Sequence, residues 1–408
     1  MRQLAFDAEQ LSELDPADPQ YAVQVVDRFL AAAEAAGASD LHFQPTADGL
    51  EVKFRIDGVL QRAALVPRRL APNIIARLKV QAELLTYRHD TPQEGRIRLP
   101  GRDVEMRLST FPTLHGERAV VRLFGRSGRY ERLDDLGLPA DCLAAVRQLL
   151  GETAGAILVS GPAGSGKTTT VYACLRELAG QSGGSRSLVS LEDPIEVAVQ
   201  GSAQSQVNPA VGFDLATGLR FLMRQDPEVI MVGEIRDRAT AEAALQASLT
   251  GNLLLSTFHA GSAVETLGRL LDMGIEPYSL RSGLLAILCQ RLLRKLCRCA
   301  KASDDPAQRL GLPIRHAMLP QGCDQCAGTG YRGRMLLVEM LSLRPAAKGD
   351  VLGRAILARA DTTVLEPLAI EAGMTTRWQR AIEIADAGLT SPAEVRRVLG
   401  LRGPCGAE

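Results

Sequence analysis

Apolar residues recur at helical spacing from Tyr21, with Val23, Val26, Phe29, Leu30 and Ala33 on one face and Gly37 as a stop. This predicts an amphipathic helix. The polar segment before it, residues 1–19 with DPADP at its end, reads as a lead-in. Beyond the helix the period shortens, and LHFQP (41–45), EVKFRIDGVLQ (51–61), GRIRL (95–99), DVEMRLSTF (103–111) and RAVVRLF (118–124) have strand character. A helical run from Asn73 to Leu85 interrupts them. The pattern predicts a small α+β domain over 20–124, followed by a Gly/Arg/Ser linker at 125–130.

The remainder alternates short apolar runs with helical patterns: AILVS (156–160), SLVSL (187–191), VIMVG (229–233) and LLLST (253–257). Such alternation predicts an α/β domain over 131–340, with a largely parallel sheet covered by helices. Residues 341–408 read as a C-terminal helical bundle, and the basic run RLLRKLCRC as a solvated helix end. The most apolar stretches, such as Asn252 to Phe258 and Leu284 to Cys289, fall far short of the ~20 residues a membrane span needs.

Composition narrows the function classes. The 408 residues are 46% hydrophobic and 23% charged, which excludes disorder as the dominant state. Lys+Arg 47 balances Asp+Glu 47, so no global field draws nucleic acid or anionic lipid, and no nucleic-acid partner is expected. The N-terminus lacks the continuous apolar region of a signal peptide, and 8 cysteines are too sparse for a disulfide scaffold. A cytoplasmic protein is expected. Four of those cysteines nevertheless lie between Cys297 and Cys326 and call for an explanation of their own.

The chemistry begins after the first run of the second domain. Gly161, Pro162, Ala163, Gly164, Ser165, Gly166, Lys167 and Thr168 match GxxxxGK[ST], with Thr169 next, between a strand pattern and a helix pattern. Glycines let backbone N–H groups curl around phosphate oxygens, Lys167 supplies charge for the β- and γ-phosphates, and the Thr168 hydroxyl is placed to ligate Mg²⁺. Ligands of an open α/β sheet bind outside the carboxyl ends of its strands. Glu192-Asp193-Pro194 follows the second run, Glu234 the third, and His259 the fourth. Together they form the set that phosphoryl transfer to water requires. Taken singly, Glu192 would serve as a cap or turn residue, Glu234 as a surface partner of Arg236, and His259 as a structural histidine. Arg220 and Arg224 share a helix face, with a solvated basic face as the plainer reading.

In their order, the boxes resemble the type II secretion and type IV pilus assembly ATPases, the GspE/PulE/PilB family, from about residue 20 to about 398. The resemblance is carried by ASDLHFQP (38–45), RIDGVL (55–60), PQEGRI (92–97) and STFPTLHGERAVVRL (109–123). It continues through GPAGSGKTTT, LEDPIE (191–196), LMRQDPEVIMVGEIRD (222–237) and TGNLLLSTFHAGSA (250–263). It implies a RecA-like P-loop ATPase domain behind a PAS-like N-terminal domain. It further implies a homo-hexameric ring, peripheral to the cytoplasmic face of the inner membrane, that works with platform proteins there and couples ATP hydrolysis to assembly of pilin-like subunits. By the same resemblance Glu192 is the carboxylate acting on water, Glu234 holds Mg²⁺ through water, His259 senses the γ-phosphate, and Arg107 and Arg122 match N-terminal-domain arginines that approach the phosphates. Secretion-type members carry a further N-terminal domain, whereas about 20 residues precede the first helix here.

The family's metal subdomain reads CxxC…CxxC; this chain has Cys297-Arg298-Cys299 and Cys323-Asp324-Gln325-Cys326, within an insert at 291–334. Four thiolates suit a closed, structural Zn²⁺ site, with reduced, metal-free thiols as the alternative. The cluster argues against the retraction motors of type IV pili, which lack it. Intact Lys167, Glu192 and Glu234 argue against a nucleotide-binding scaffold that does not hydrolyse ATP.

Overall fold

The structure is a computed structural model that describes residues 14, 15, 17–98, 105–124, 130–344 and 350–401. Apart from Tyr130 the expected linker lies outside the described residues, as does most of the lead-in. The chain divides into two compact units: Met1–Ser127 with Leu296–Lys301 and Leu319–Gly333, and Gly128–Lys295 with Ala302–Met318 and Arg334–Glu408. The four clustered cysteines, expected within the ATPase domain, fall in segments of the first unit.

In the first unit β1 (Asp40–Pro45), β2 (Gly49–Ile56), β3 (Val59–Pro67), β4 (Gln93–Arg98), β5 (Glu105–Thr113) and β6 (Gly116–Phe124) form one antiparallel sheet, ordered β3-β2-β1-β6-β5-β4. The run 51–61, expected as one strand, is part of a hairpin. Its reversal is Asp57-Gly58, with φ of +49° and +81°, the left-handed pair that a two-residue turn between twisted strands demands. The helix Tyr21–Ala35 buries Val25, Val26, Phe29, Leu30 and Ala33, and Phe29 meets Phe43 of β1 edge-on at 5.8 Å. The second helix runs Ala71–Gln81 and stops short of Leu85. Glu83 adopts φ +57° and the Leu84 N–H returns to the Lys79 carbonyl at 2.8 Å, so a Schellman-type turn closes it. Lys79 is fully buried; its ammonium donates to both Glu117 oxygens, at 2.8 and 2.9 Å.

In the second unit the four apolar runs become β7 (Gly155–Ser160), β8 (Leu188–Glu192), β10 (Val229–Val232) and β11 (Leu253–Phe258), all fully buried. With β9 (Ala203–Gln206), β12 (Leu284–Leu296) and the strand Tyr331–Ser342 they make a seven-stranded sheet, ordered from Tyr331–Ser342 through β12-β7-β11-β10-β8-β9. The pairs from β12 to β9 are parallel. Alternate residues feed opposite faces: Leu158, Ile230 and Leu254 join one core, and Val159, Met231 and Leu255 the other. The fold is therefore the expected α/β arrangement, with a parallel sheet between helical layers.

The segment RLLRKL is not a helix end but the second half of β12, with Leu293 buried. Arg294 there donates to the fully buried Glu394, at 2.7 and 2.9 Å, from a position 100 residues away. No local pattern reveals such a partner. The C-terminal region is helical as expected: Val351–Leu357, Thr362–Glu371, Arg377–Asp386 and Pro392–Leu399 each start at a side-chain cap, from Asp350, Asp361, Thr376 and Ser391 respectively.

Candidate nucleotide site and cysteine cluster

The carboxyl ends of β8, β10, β11 and β7 stand side by side, with Leu191 opposite Val232, Val232 opposite Ser256, and Phe258 opposite Ser160. Whatever follows each strand is thereby delivered to one edge. After β7 the chain turns through Gly161 at φ +145°, where a Cβ would meet the Gln290 carbonyl and the Ser165 hydroxyl at 2.5 Å each. Gly166, at φ +90°, turns the loop into the helix Lys167–Ser182. The Lys167 ammonium is buried and donates to the Gly161 and Pro162 carbonyls at 3.0 Å each. Burial lowers its pKa, opposed by the nearby Glu234.

Glu234, whose charge acts on Lys167, accepts from two partners, Arg236 Nε at 2.7 Å and His259 Nε2 at 2.8 Å. A carboxylate only accepts, so Nε2 carries the proton of that contact. Burial and the Lys167 charge push the His259 pKa below its ordinary value, against the pull of Glu234, which favours a neutral ring at pH 7. The structure thus brings Lys167, Glu234 and His259 into one electrostatic group.

Glu192, at the same strand edge, has a different set of partners. It is buried at the end of β8, and its carboxylate accepts from Ser190 at 2.5 Å, from Gln204 at 2.9 Å and from the Tyr172 hydroxyl. Tyr172 also accepts the Glu196 N–H at 3.2 Å, so it links the loop helix to the acidic box. Burial and the bond to Glu192 raise the Tyr172 pKa, so its proton stays on the phenol. Sequence reasoning missed Tyr172, Ser190 and Gln204. It also missed a cleft of about 340 Å³ beside the loop, lined next to Gly164–Thr170 by apolar side chains including Leu136, Leu292 and Met335 and by the charged Glu196 and Arg334. The available signal was one large aromatic in the helix run TTTVYACL.

Arg107 and Arg122 are direct cross-strand partners on β5 and β6 of the first unit. Arg122 is largely exposed and donates to the buried Asp40 at 2.9 Å; Arg55 holds the other Asp40 oxygen at 3.3 Å. Arg220 lies on the helix Leu215–Leu222, and Arg224, just beyond it, covers the exposed Phe221 ring at 5.8 Å.

Also in the first unit, the Cys297, Cys299, Cys323 and Cys326 sulfurs all lie within 4.8 Å of one another. The separations are 3.7 Å for Cys297–Cys323, 3.9 Å for Cys299–Cys326 and 3.7 Å for Cys323–Cys326. A tetrahedron of sulfurs about an ion at ~2.3 Å has edges of ~3.8 Å, so the tight CxC pair does not spoil the geometry. Burial pushes the Cys326 thiol up, but the Cys323 and Gly330 N–H groups at 3.1 and 3.2 Å outweigh it and bring the pKa down to about 6. The residues fit a divalent metal bound by thiolates.

Among the described residues no helix is long and apolar enough to cross a membrane. A family model described as "Type II/IV secretion system protein" matches residues 15–397. The type II secretion system protein E of Klebsiella pneumoniae is 40% identical over 392 residues, 94% of this chain and 77% of the relative. The type II secretion system ATPase E of Vibrio cholerae is 40% identical over 394 residues, 94% of this chain and 76% of the relative. In fold the chain is similar to the Legionella pneumophila ATPase DotB, with a TM-score of 0.67 and 20% identity over 94% of this chain and 97% of the other. It is also similar to the pilus retraction motor PilT with bound ADP, with a TM-score of 0.59 and 24% identity over 91% of this chain and 96% of the other. With nearly its whole length matched and a P-loop at the strand edge, the chain belongs to the type II/IV secretion system protein family and is a secretion ATPase.

Proposed function

We propose that the chain is a cytoplasmic, hexameric motor that hydrolyses ATP to ADP and phosphate, powers pseudopilus or pilus assembly, and acts against platform proteins of the inner membrane. The observation that carries the reading is the meeting of Lys167, Glu234 and His259 at the strand edge that ends in the P-loop. Phosphate oxygens compete with the Gly161 and Pro162 carbonyls for the Lys167 ammonium, and the apolar side chains of Leu136 and Met335 accept a planar base. A Mg²⁺ ion held by Thr168 and, through water, by Glu234 would offset charge developing on the phosphates. Glu192 takes the proton of the attacking water as the bond from the γ-phosphorus to ADP breaks. For that step it exchanges one of its three internal hydrogen bonds for one to the water. His259 reports the γ-phosphate to Glu234, and Arg107 and Arg122 supply charge to the phosphates. The four cysteines hold a structural Zn²⁺ that stiffens the segments carrying them.

A second assignment exchanges the two acids. Glu234 is only partly buried and acts on the Lys167 charge, whereas Glu192 is buried with three donors around its carboxylate, and this favours Glu234 as the base. Steady-state ATPase activity measured alongside mass in solution, with and without Mg²⁺-ATP, tests the motor. A nucleotide-dependent hexamer with turnover is expected, and Lys167→Ala is expected to weaken nucleotide binding itself. Binding without turnover in every oligomeric state would overturn the motor in favour of a scaffold.

A further inference from the structure

The turn that carries His259 is held by a buried carboxylate that belongs to neither strand end nor P-loop. Glu339, on the strand Tyr331–Ser342, is 2% exposed. One of its oxygens accepts the Ala263 N–H at 2.8 Å, at the start of the helix Ala263–Asp272. The other accepts the Arg377 N–H at 3.0 Å, at the start of the helix Arg377–Asp386. A single carboxylate thus satisfies a first-turn N–H of two helices and lies at the positive end of both dipoles. The Arg377 guanidinium closes the arrangement. It pairs with Glu339 at 3.2 Å and donates to the Gly261 carbonyl at 3.0 Å, two residues after His259. Arg291, whose charge also acts on Lys167, donates to the same carbonyl at 2.9 Å.

We propose that Arg377, acting through Glu339 and Gly261, is a positioning residue for His259. The C-terminal helical segment and the His259 turn then move as one piece, and displacement of the helix Arg377–Asp386 displaces the imidazole from Glu234. Removing the guanidinium leaves the buried Glu339 charge to its two backbone N–H donors and takes one of two arginine donors from Gly261, and both effects loosen the turn. A misplacement of the order of 1 Å in a catalytic constellation is enough for a large rate loss. The inference rests on the reading of His259 as a group that acts on the bound triphosphate.

The test is a double-mutant cycle on the full chain, with kcat, KM and affinity for a fluorescent ATP analogue measured for the parent, Arg377→Ala, His259→Ala and the double variant. Arg377→Ala is expected to lower kcat about tenfold or more while analogue affinity stays within about threefold. In the His259→Ala background the same change is expected to cost less than about twofold, because the group it positions is gone. Parental kcat in Arg377→Ala, or the same fold-loss in both backgrounds, overturns the tether. Parental turnover in His259→Ala overturns the reading of His259 and the tether with it, and is told apart by that single variant. Should Arg377→Ala fail to fold, Arg377→Lys carries the same cycle. The amine keeps charge toward Glu339 but cannot fork to Gly261, so a smaller loss is expected, again absent without His259.

Discussion

Replacing Glu192 with Gln separates a catalytic carboxylate from a structural one. The side chain keeps its size, but the three donors that face it, from Tyr172, Ser190 and Gln204, now meet a neutral amide. A hydrogen bond to a charged group is worth ~1.5–3 kcal/mol and a neutral one ~0.5–1.5. Three such exchanges amount to about 3 kcal/mol, less whatever the fold gains by no longer burying a charge. For a unit of this size that corresponds to a fall in Tm of about 6 to 12 °C. Turnover is expected to fall further than stability would dictate, by ~10² or more, the scale of a lost general base. The assay is phosphate release at saturating Mg²⁺-ATP, normalised to nucleotide-binding sites counted with a fluorescent analogue, alongside thermal unfolding of the same samples. Counting sites removes the unfolded fraction from the comparison. A lower Tm with turnover per site within about threefold of the parent would refute the base assignment and leave Glu192 as the anchor between the loop helix and β8. In that event Glu234→Gln should carry the large loss, and its activity should not return with added Mg²⁺.

Elemental analysis of protein purified under reducing conditions is expected to find one zinc per chain, released by a strong chelator; less than half an equivalent would favour metal-free thiols. Arg107→Ala is expected to depress turnover without a change in the unfolding transition, and full activity in that variant would remove it from the phosphate contacts. The acid range reports on two buried pairs. Burial pushes Glu394 and Glu117 up, but Arg397 and Arg294 in one case and Lys79 in the other outweigh it and hold both below the ordinary 4.5. Between the folded and unfolded values the unfolded chain binds the extra proton, so this stability is complete above pH 4.5 and drains away as pH falls through the folded values. Glu394→Gln should therefore lower stability at pH 7 and flatten the acid slope, and an unchanged slope would contradict the pairing.

What could be read from the sequence was what is local. The P-loop and the strands before Glu192, Glu234 and His259 each announce themselves within ten residues, through a run of apolar residues and the polar or glycine residue that ends it. Parallel pairing then delivers their ends to one edge whatever the loops between them contain. The Asp57-Gly58 reversal was equally local, and the apolar run around it hid a turn that its dipeptide signals. The misread half of β12 is of another kind, because the charge of Arg294 is neutralised by Glu394, a partner 100 residues away. Glu192 and its donors, or Glu339 between the starts of two helices, follow the same logic. Polar groups taken out of water must be satisfied by whatever the fold brings near them, and the partner carries no mark at its own position in the chain. The P-loop and the acidic and histidine boxes are legible because each is a short run of neighbours along the backbone. The residues that hold those boxes in place answer to neighbours in space, so a carboxylate such as Glu339, unremarkable in the string LLVEML, ties the His259 turn to a helix that begins 38 residues later.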